Sequence, residues 1–148
     1  GILTRGQLVT ILHRLAGSPT PTGASPFTDV KEGRYYTEAV SWAAEQGLAQ
    51  GVTETRFVPE APATREQLVT FLYRYAAMHG VDTAAGGSLS NFPDASSVSE
   101  YAQQPMLWAV QTGLLQGMDG RLAPKASATR AQTAAFLTRF CENILKGE

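Results

Sequence analysis

Three times in this 148-residue chain an arginine follows a helix-capping threonine, and those arginines are where chemistry is first expected. The three sites are Thr4-Arg5-Gly6-Gln7, Thr64-Arg65-Glu66-Gln67 and Thr129-Arg130-Ala131-Gln132. Thr with Gln three residues later is a capping box, in which the Thr side chain takes the amide of the third helical residue and the Gln reaches back to the Thr amide. The arginine then stands near the first helical position. The helix dipole is positive there, and a cation is unfavourable by up to about 1 kcal/mol. Helix stability alone would prefer Asp or Glu. Free amides at a helix start, together with a guanidinium fork, suit a carboxylate or phosphate. The alternative is an arginine that pairs across to a neighbouring repeat, at Asp29 or Asp94. Threefold recurrence keeps the anion site in contention.

The elements that must position these arginines are legible from periodicity. Each box leads into an apolar stripe: Leu8, Ile11, Leu12, Leu15; Leu68, Phe71, Leu72, Tyr75; and Thr133, Phe136, Leu137, Phe140. The spacing i, i+3, i+4, i+7 predicts amphipathic helices of about 12–14 residues. Arg14, Arg74 and Arg139 fall late in these helices, where a cation complements the negative dipole end, a structural role. The boxes start 60 and then 65 residues apart, and other landmarks keep step. Phe27-x-Asp29 matches Phe92-x-Asp94, Tyr35 matches Tyr101, and Trp42-Ala43 matches Trp108-Ala109. Gly47 matches Gly113, Gly51 matches Gly117, and Phe57-x-Pro59 matches Leu122-x-Pro124. The chain is a repeat array. It reads as one domain over 1–148 with sub-repeats 1–17 (a back half only), 27–79 and 92–146.

Thr37 to Gln46, and roughly Ser99 to Thr112, form a second helix type, ended by Gly47 and Gly113 in the left-handed backbone that favours glycine. Pro105 is expected to split the later segment into a turn and a shorter helix. Gly51–Pro59 and Gly117–Pro124 are tight loops, with a turn at Asp119-Gly120. Ser18–Pro26 and Gly80–Ser90 are linkers of small and turn-forming residues. No strand pattern runs beyond a few residues. The expected fold is all-α: tandem helix-loop-helix repeats that bury their stripes only against each other. Three equivalent stripes point to a pseudo-threefold bundle around a central three-helix core.

Net charge is -1, far from the basic surface that nucleic acid needs. The apolar stretches are interrupted, so no membrane span is expected. A chain that opens on Gly1, without Met or a signal peptide, reads as a fragment of a longer natural protein. Cys141 stands alone and is expected as a buried core thiol. His13 and His79 fall at unmatched positions, so neither a metal nor a catalytic role is expected of them. No acid, base or nucleophile set recurs, and no nucleotide or metal motif is present, so the chain reads as non-enzymatic and without cofactor. Trp42 and Trp108 are either buried anchors or half-exposed platforms for sugar rings. Asp29 and Asp94 are either turn caps or acceptors for sugar hydroxyls.

Together these landmarks resemble the S-layer homology family of bacterial surface modules. Its repeats carry F-x-D-V, a W-A helix, G-x-x-x-G, F-x-P and a T-R-A-E helix start. The matches are Phe27-Thr28-Asp29-Val30, Trp42-Ala43, Gly47 to Gly51, Phe57-Val58-Pro59 and Thr64-Arg65-Glu66-Gln67. The second set is Phe92-Pro93-Asp94, Trp108-Ala109, Gly113 to Gly117, Leu122-Ala123-Pro124 and Thr129-Arg130-Ala131-Gln132. The resemblance implies a pseudo-trimer with projecting prongs, whose grooves bind secondary cell-wall polysaccharide. In family members the sugar is pyruvylated and the T-R-A-E arginine contacts its acidic ketal. That role would fall on Arg5, Arg65 and Arg130, with Asp29, Asp94, Trp42 and Trp108 in the grooves. Gln67 and Gln132 stand where the family has Glu, and complete the candidate ligand set. Two other departures are Ala95 in place of the Val30 type and the absent front half of one repeat.

The implied function is a non-catalytic anchor, outside the cell and on its wall, carried by a larger exported bacterial protein. Self-association through the incomplete repeat stays open. A competing reading is an all-α protein-interaction scaffold whose arginines are structural.

Overall fold

The computed structural model describes residues 1–23, 25–115 and 120–144. Among the described residues there are five α-helices: α1 (Arg5–Leu15), α2 (Thr37–Glu45), α3 (Arg65–Met78), α4 (Gln103–Gln111) and α5 (Arg130–Asn143). Two single-turn 3-10 segments, Ala95–Ser97 and Glu100–Ala102, precede α4. The described residues contain isolated β-bridges but no strand, so the fold class is all-α, as the periodicity requires.

The capping boxes form at all three helix starts. Thr4, Thr64 and Thr129 are extended N-caps, each accepting the amide of the Gln three residues on and donating its own amide to that Gln side chain. Two donors that a helix start leaves orphaned are thereby satisfied at each site. Gly47 (φ 71°) and Gly113 (φ 77°) stop α2 and α4 in the left-handed region. Leu48 then donates back to the Ala43 carbonyl at 2.9 Å, closing the turn.

The Ser99–Thr112 segment divides as expected, but the break lies before Gln103 rather than at the proline. Pro105 sits inside the first turn of α4, where its missing N–H would have had no helical partner. The Gly51 loop tolerates no side chain: a Cβ there would lie 2.3 Å from the Thr53 carbonyl oxygen and 2.5 Å from the Phe27 ring. Its partner Gly117, and Asp119 of the expected turn, lie outside the described residues.

The chain divides into two compact units: Leu3–Ala63, and Thr64–Glu148 together with Gly1–Ile2. The boundary falls inside the 27–79 repeat. The packing unit is thus offset from the sequence repeat, because α1 packs on α2 and α3 on α4. The capping-box helices α1 and α3 thus each bury their stripe against the tryptophan helix of the following repeat.

The N-terminal unit is centred on Leu8, Val9, Leu12, Ala39, Val40, Leu48 and Phe57. The C-terminal unit is centred on Leu68, Leu72, Met106, Trp108, Leu114, Leu122 and Phe140. Each large side chain so buried contributes about 1.5–3 kcal/mol. The stripe of α1 is rotated from the expected one: Val9 is buried, Ile11 only half-buried, and Leu15 is 39% exposed. Cys141 is half-buried rather than a core thiol, lying one residue beyond the buried Phe140 on α5.

Candidate functional site

Each unit is organised around its Phe/Leu-x-Pro loop. The middle residue of that loop is forced into the left-handed region, Val58 at φ 55° and Ala123 at φ 49°. Such a backbone costs a non-glycine residue about 1–2 kcal/mol. An aspartate holds it there. Asp29 accepts the amides of Phe57 at 2.9 Å and Val58 at 2.8 Å, one on each carboxylate oxygen. Asp94 does the same for Leu122 at 3.0 Å and Ala123 at 2.8 Å. Burial pushes the Asp29 carboxyl upward, but the two amides and the Arg56 charge outweigh it and hold the pKa below the usual carboxylate value. At Asp94 burial is again outweighed, by the amides of Leu122 and Ala123 and the Arg121 charge.

The capping-box arginines grip the same loops from the other side. Arg5 Nε donates to the Phe57 carbonyl at 2.9 Å and Nη2 to the Gln50 carbonyl at 3.0 Å, with the guanidinium 4.5 Å over the Phe57 ring. Arg65 Nε donates to the Leu122 carbonyl at 3.1 Å and its guanidinium lies 5.6 Å from the Phe136 ring. Both side chains are buried. Burial lowers the pKa of Arg65, and the Asp94 charge partly restores it.

The helix-start amides are occupied as well. Arg5 and Gly6 donate theirs to the carbonyls of Ala61 and Pro59, both at 2.8 Å. Arg65 and Glu66 donate to Ala126 at 2.9 Å and Pro124 at 3.0 Å. An anion site at a helix start needs these amides free. At α1 and α3 a proline loop uses them instead, and that loop is a partner no local pattern reveals. The other alternative, direct pairing of arginine to aspartate, is replaced by a relay: Asp29 takes the Phe57 N–H while Arg5 binds the Phe57 C=O. Arg130 differs. It is exposed, and no side-chain partner for it is found among the described residues.

Trp42 and Trp108 are buried inside their units. Trp42 lies against His13, ring centroids 5.3 Å apart. His13 Nε2 is in turn 2.7 Å from the Pro19 carbonyl oxygen. Trp108 meets Tyr73 and Phe140 edge-on, and its indole Nε1 is buried without a partner among the described residues. Gln67 and Gln132 are half-buried and serve the capping boxes through their side-chain oxygens. No group of His, Cys, Asp and Glu suited to a metal ion occurs among the described residues. No helix among them is long and apolar enough to cross a membrane.

Two features emerge that the motif alignment did not single out. The first is a cleft of about 410 Å³ in the N-terminal unit, where Lys31, Arg34 and Arg56 surround Tyr36 and Pro59. Lys31, Arg34 and Arg56 are exposed, whereas Tyr36 and Pro59 are buried and form the floor. The floor is tight against α1: a Cβ on Gly6 would lie 3.2 Å from the Tyr36 ring and 3.1 Å from the Pro59 carbonyl oxygen. A second cleft, of about 660 Å³, shares Arg34 and is lined by Tyr35, Thr10, Thr37, Glu38 and Ser41 among others.

The other unforeseen feature is Glu66 in the C-terminal unit. Its carboxylate accepts from the Ser99 amide at 3.0 Å, the Ser99 hydroxyl at 2.6 Å, the Tyr101 hydroxyl at 2.9 Å and the Lys125 ammonium at 3.0 Å. Burial raises its pKa, but these donors, Ser99 foremost, overcome that and leave it below the usual value. A signal was present in the sequence. Glu66 is acidic where the other two boxes have Gly6 and Ala131, and Lys125 stands where the previous repeat has Glu60.

The architecture is that of an all-α repeat module in which capping-box helices clasp proline loops and leave a shallow polar cleft. The family model for the S-layer homology domain matches residues 26–69 and 91–134, more than half of the chain. The chain belongs to the S-layer homology domain family and is a cell-surface anchoring module.

It is 32% identical over 122 residues to the surface-layer 125 kDa protein of Lysinibacillus sphaericus, covering 80% of this chain and 10% of that protein. It is 28% identical over 141 residues to an amylopullulanase of Thermoanaerobacterium thermosulfurigenes, covering 95% of this chain and 8% of the enzyme. It is 25% identical over 145 residues to a cellulosome-anchoring protein of Acetivibrio thermocellus, covering 95% of this chain and 32% of that protein. The chain therefore spans a small part of each of these relatives.

Proposed function

We propose that this module holds a larger exported protein on the bacterial wall by binding an anionic secondary cell-wall polysaccharide, without catalysing any reaction. The observation that carries this reading is the cleft ringed by Lys31, Arg34 and Arg56 over the Tyr36 floor. Cations on mobile stems attract an acidic sugar substituent, and a pyruvyl ketal fits as a compact carboxylate on an otherwise neutral ring. The neighbouring cleft at Tyr35 and the hydroxyls of Thr10, Thr37 and Ser41 suits an adjacent neutral sugar. Tyr35 is 56% exposed there and supplies an apolar face.

Within this reading the nine residues named from the sequence divide by role. Arg5 and Asp29 set the loop that shapes the cleft, Arg65 and Asp94 set the equivalent loop of the C-terminal unit, Gln67 and Gln132 close the helix starts, and Trp42 and Trp108 are buried anchors inside their own units. Arg130, by contrast, is exposed. The anchored cargo resides in the rest of the full-length protein, where relatives carry an amylopullulanase or an endoglucanase.

The test is co-sedimentation with sacculi of the producing bacterium, before and after acid extraction of the secondary polymer. Binding by the native chain should vanish with the polymer, and should fall at least tenfold in an Arg34→Glu/Arg56→Glu variant that remains folded. Undiminished binding to extracted sacculi would overturn the proposal.

A further inference from the structure

We infer that the two units carry one working anion cleft rather than two: in the C-terminal unit the buried Glu66 carboxylate already takes the donors that would otherwise hold an anionic sugar. This rests on the glycan reading above and specifies which cleft serves it. The repeat alignment puts Gly6 and Glu66 at one helix position, Tyr36 opposite Ala102, and Glu60 opposite Lys125.

In the N-terminal unit the helix offers no side chain at that position, and the Tyr36 ring closes over the bare glycine. In the C-terminal unit the aromatic is reduced to Ala102, and a carboxylate projects from the helix instead. Glu66 is 2% exposed. It collects two hydroxyls, one amide and one ammonium, the set of donors a receptor would assemble around a bound anion.

The charge pattern follows the same division. Around the N-terminal cleft stand three cations, Lys31, Arg34 and Arg56, against two carboxylates, Asp29 and Glu60. Asp29, like Asp94 in the other unit, spends both oxygens on backbone amides. At the corresponding positions stand two cations, Arg121 and Lys125, against three carboxylates, Asp94, Glu100 and Glu66. An acidic sugar entering that ground must displace Glu66 and leave its charge buried and unpaired, or sit beside it at like charge. Both are unfavourable.

The experiment is an amide NMR titration of the labelled chain with oligosaccharide fragments of the acid-extracted wall polymer of the producing bacterium. In the native chain the shifts should gather at Lys31, Arg34 and Arg56, while Ser99, Tyr101 and Lys125 stay unmoved until at least tenfold more fragment is added. Glu66→Ala, which writes the residue of the third capping box into the second, should bring a second set of shifts at Ser99, Tyr101 and Lys125 and raise the stoichiometry from one to two.

Shifts of equal midpoint in both units of the native chain would overturn the inference, as would a folded Glu66→Ala protein that still binds once. Should that variant lose its fold, the native shift map decides, together with the reciprocal Gly6→Glu/Tyr36→Ala/Glu60→Lys variant, which should silence the N-terminal cleft. A native chain that still sediments with sacculi but shows no shift at Lys31, Arg34 or Arg56 refutes this placement alone. Loss of sedimentation refutes the glycan reading itself.

Discussion

Replacing Asp29 by Ala should be among the most damaging single changes at a polar position in the N-terminal unit. The carboxylate holds two amides, on Phe57 and Val58, at 2.9 and 2.8 Å. Hydrogen bonds to a charged group contribute about 1.5–3 kcal/mol each. Phe57 is fully buried, so its amide would be left without a partner, whereas Val58 is half-buried and its amide can recruit water. Counting the first bond in full and the second at a fraction gives a loss of about 3 kcal/mol. For a chain of this size that lowers Tm by about 6–12 °C.

Part of the loss should be recoverable. Asp29 stabilises a left-handed Val58 at φ 55°, and glycine adopts that backbone without strain. Val58→Gly should therefore cost less, or help more, in the Asp29→Ala background than in the native one, with a coupling of about 1 kcal/mol. Thermal melts followed by circular dichroism on the four proteins of this cycle measure it. A loss below about 1 kcal/mol for Asp29→Ala, or strict additivity with Val58→Gly, would refute the view that the aspartate holds the loop.

Other perturbations test the same structure. Asp29, Asp94 and Glu66 all have pKa values below their usual ones in the folded chain. The unfolded chain therefore takes up protons first, so their stabilisation is complete above about pH 5 and drains away as pH falls below about 4. An Asp29→Asn/Asp94→Asn variant should show a flatter Tm profile from pH 5 to pH 3 than the native chain; parallel profiles would contradict the assignment. Ala123→Gly removes the Cβ from a residue at φ 49° and should raise stability by up to about 1 kcal/mol in urea melts. Gly51→Ala places a Cβ 2.3 Å from the Thr53 carbonyl oxygen and should cost more than about 2 kcal/mol, read as a lower urea midpoint at unchanged slope.

What the sequence determined by itself is whatever depends on neighbours within one helical turn. The capping boxes at Thr4, Thr64 and Thr129 involve residues three apart, so type and spacing suffice to specify them. Gly47 and Gly113 end α2 and α4 for an equally local reason, the left-handed backbone. The repeat landmarks carry the family assignment because their order is written along the chain.

Only the tertiary structure decided what those landmarks touch. Arg5 finds its carbonyls 45 and 52 residues away, and Asp29 its amides 28 and 29 residues away. No periodicity encodes a partner at that distance. Thus the arginines expected to face ligand at α1 and α3 turn inward, and Glu66, which no repeat landmark marks, gathers four donors in the C-terminal unit. Chain folding alone brings Ser99, Tyr101 and Lys125 onto a single carboxylate, because a buried charge is retained only where enough donors converge on it.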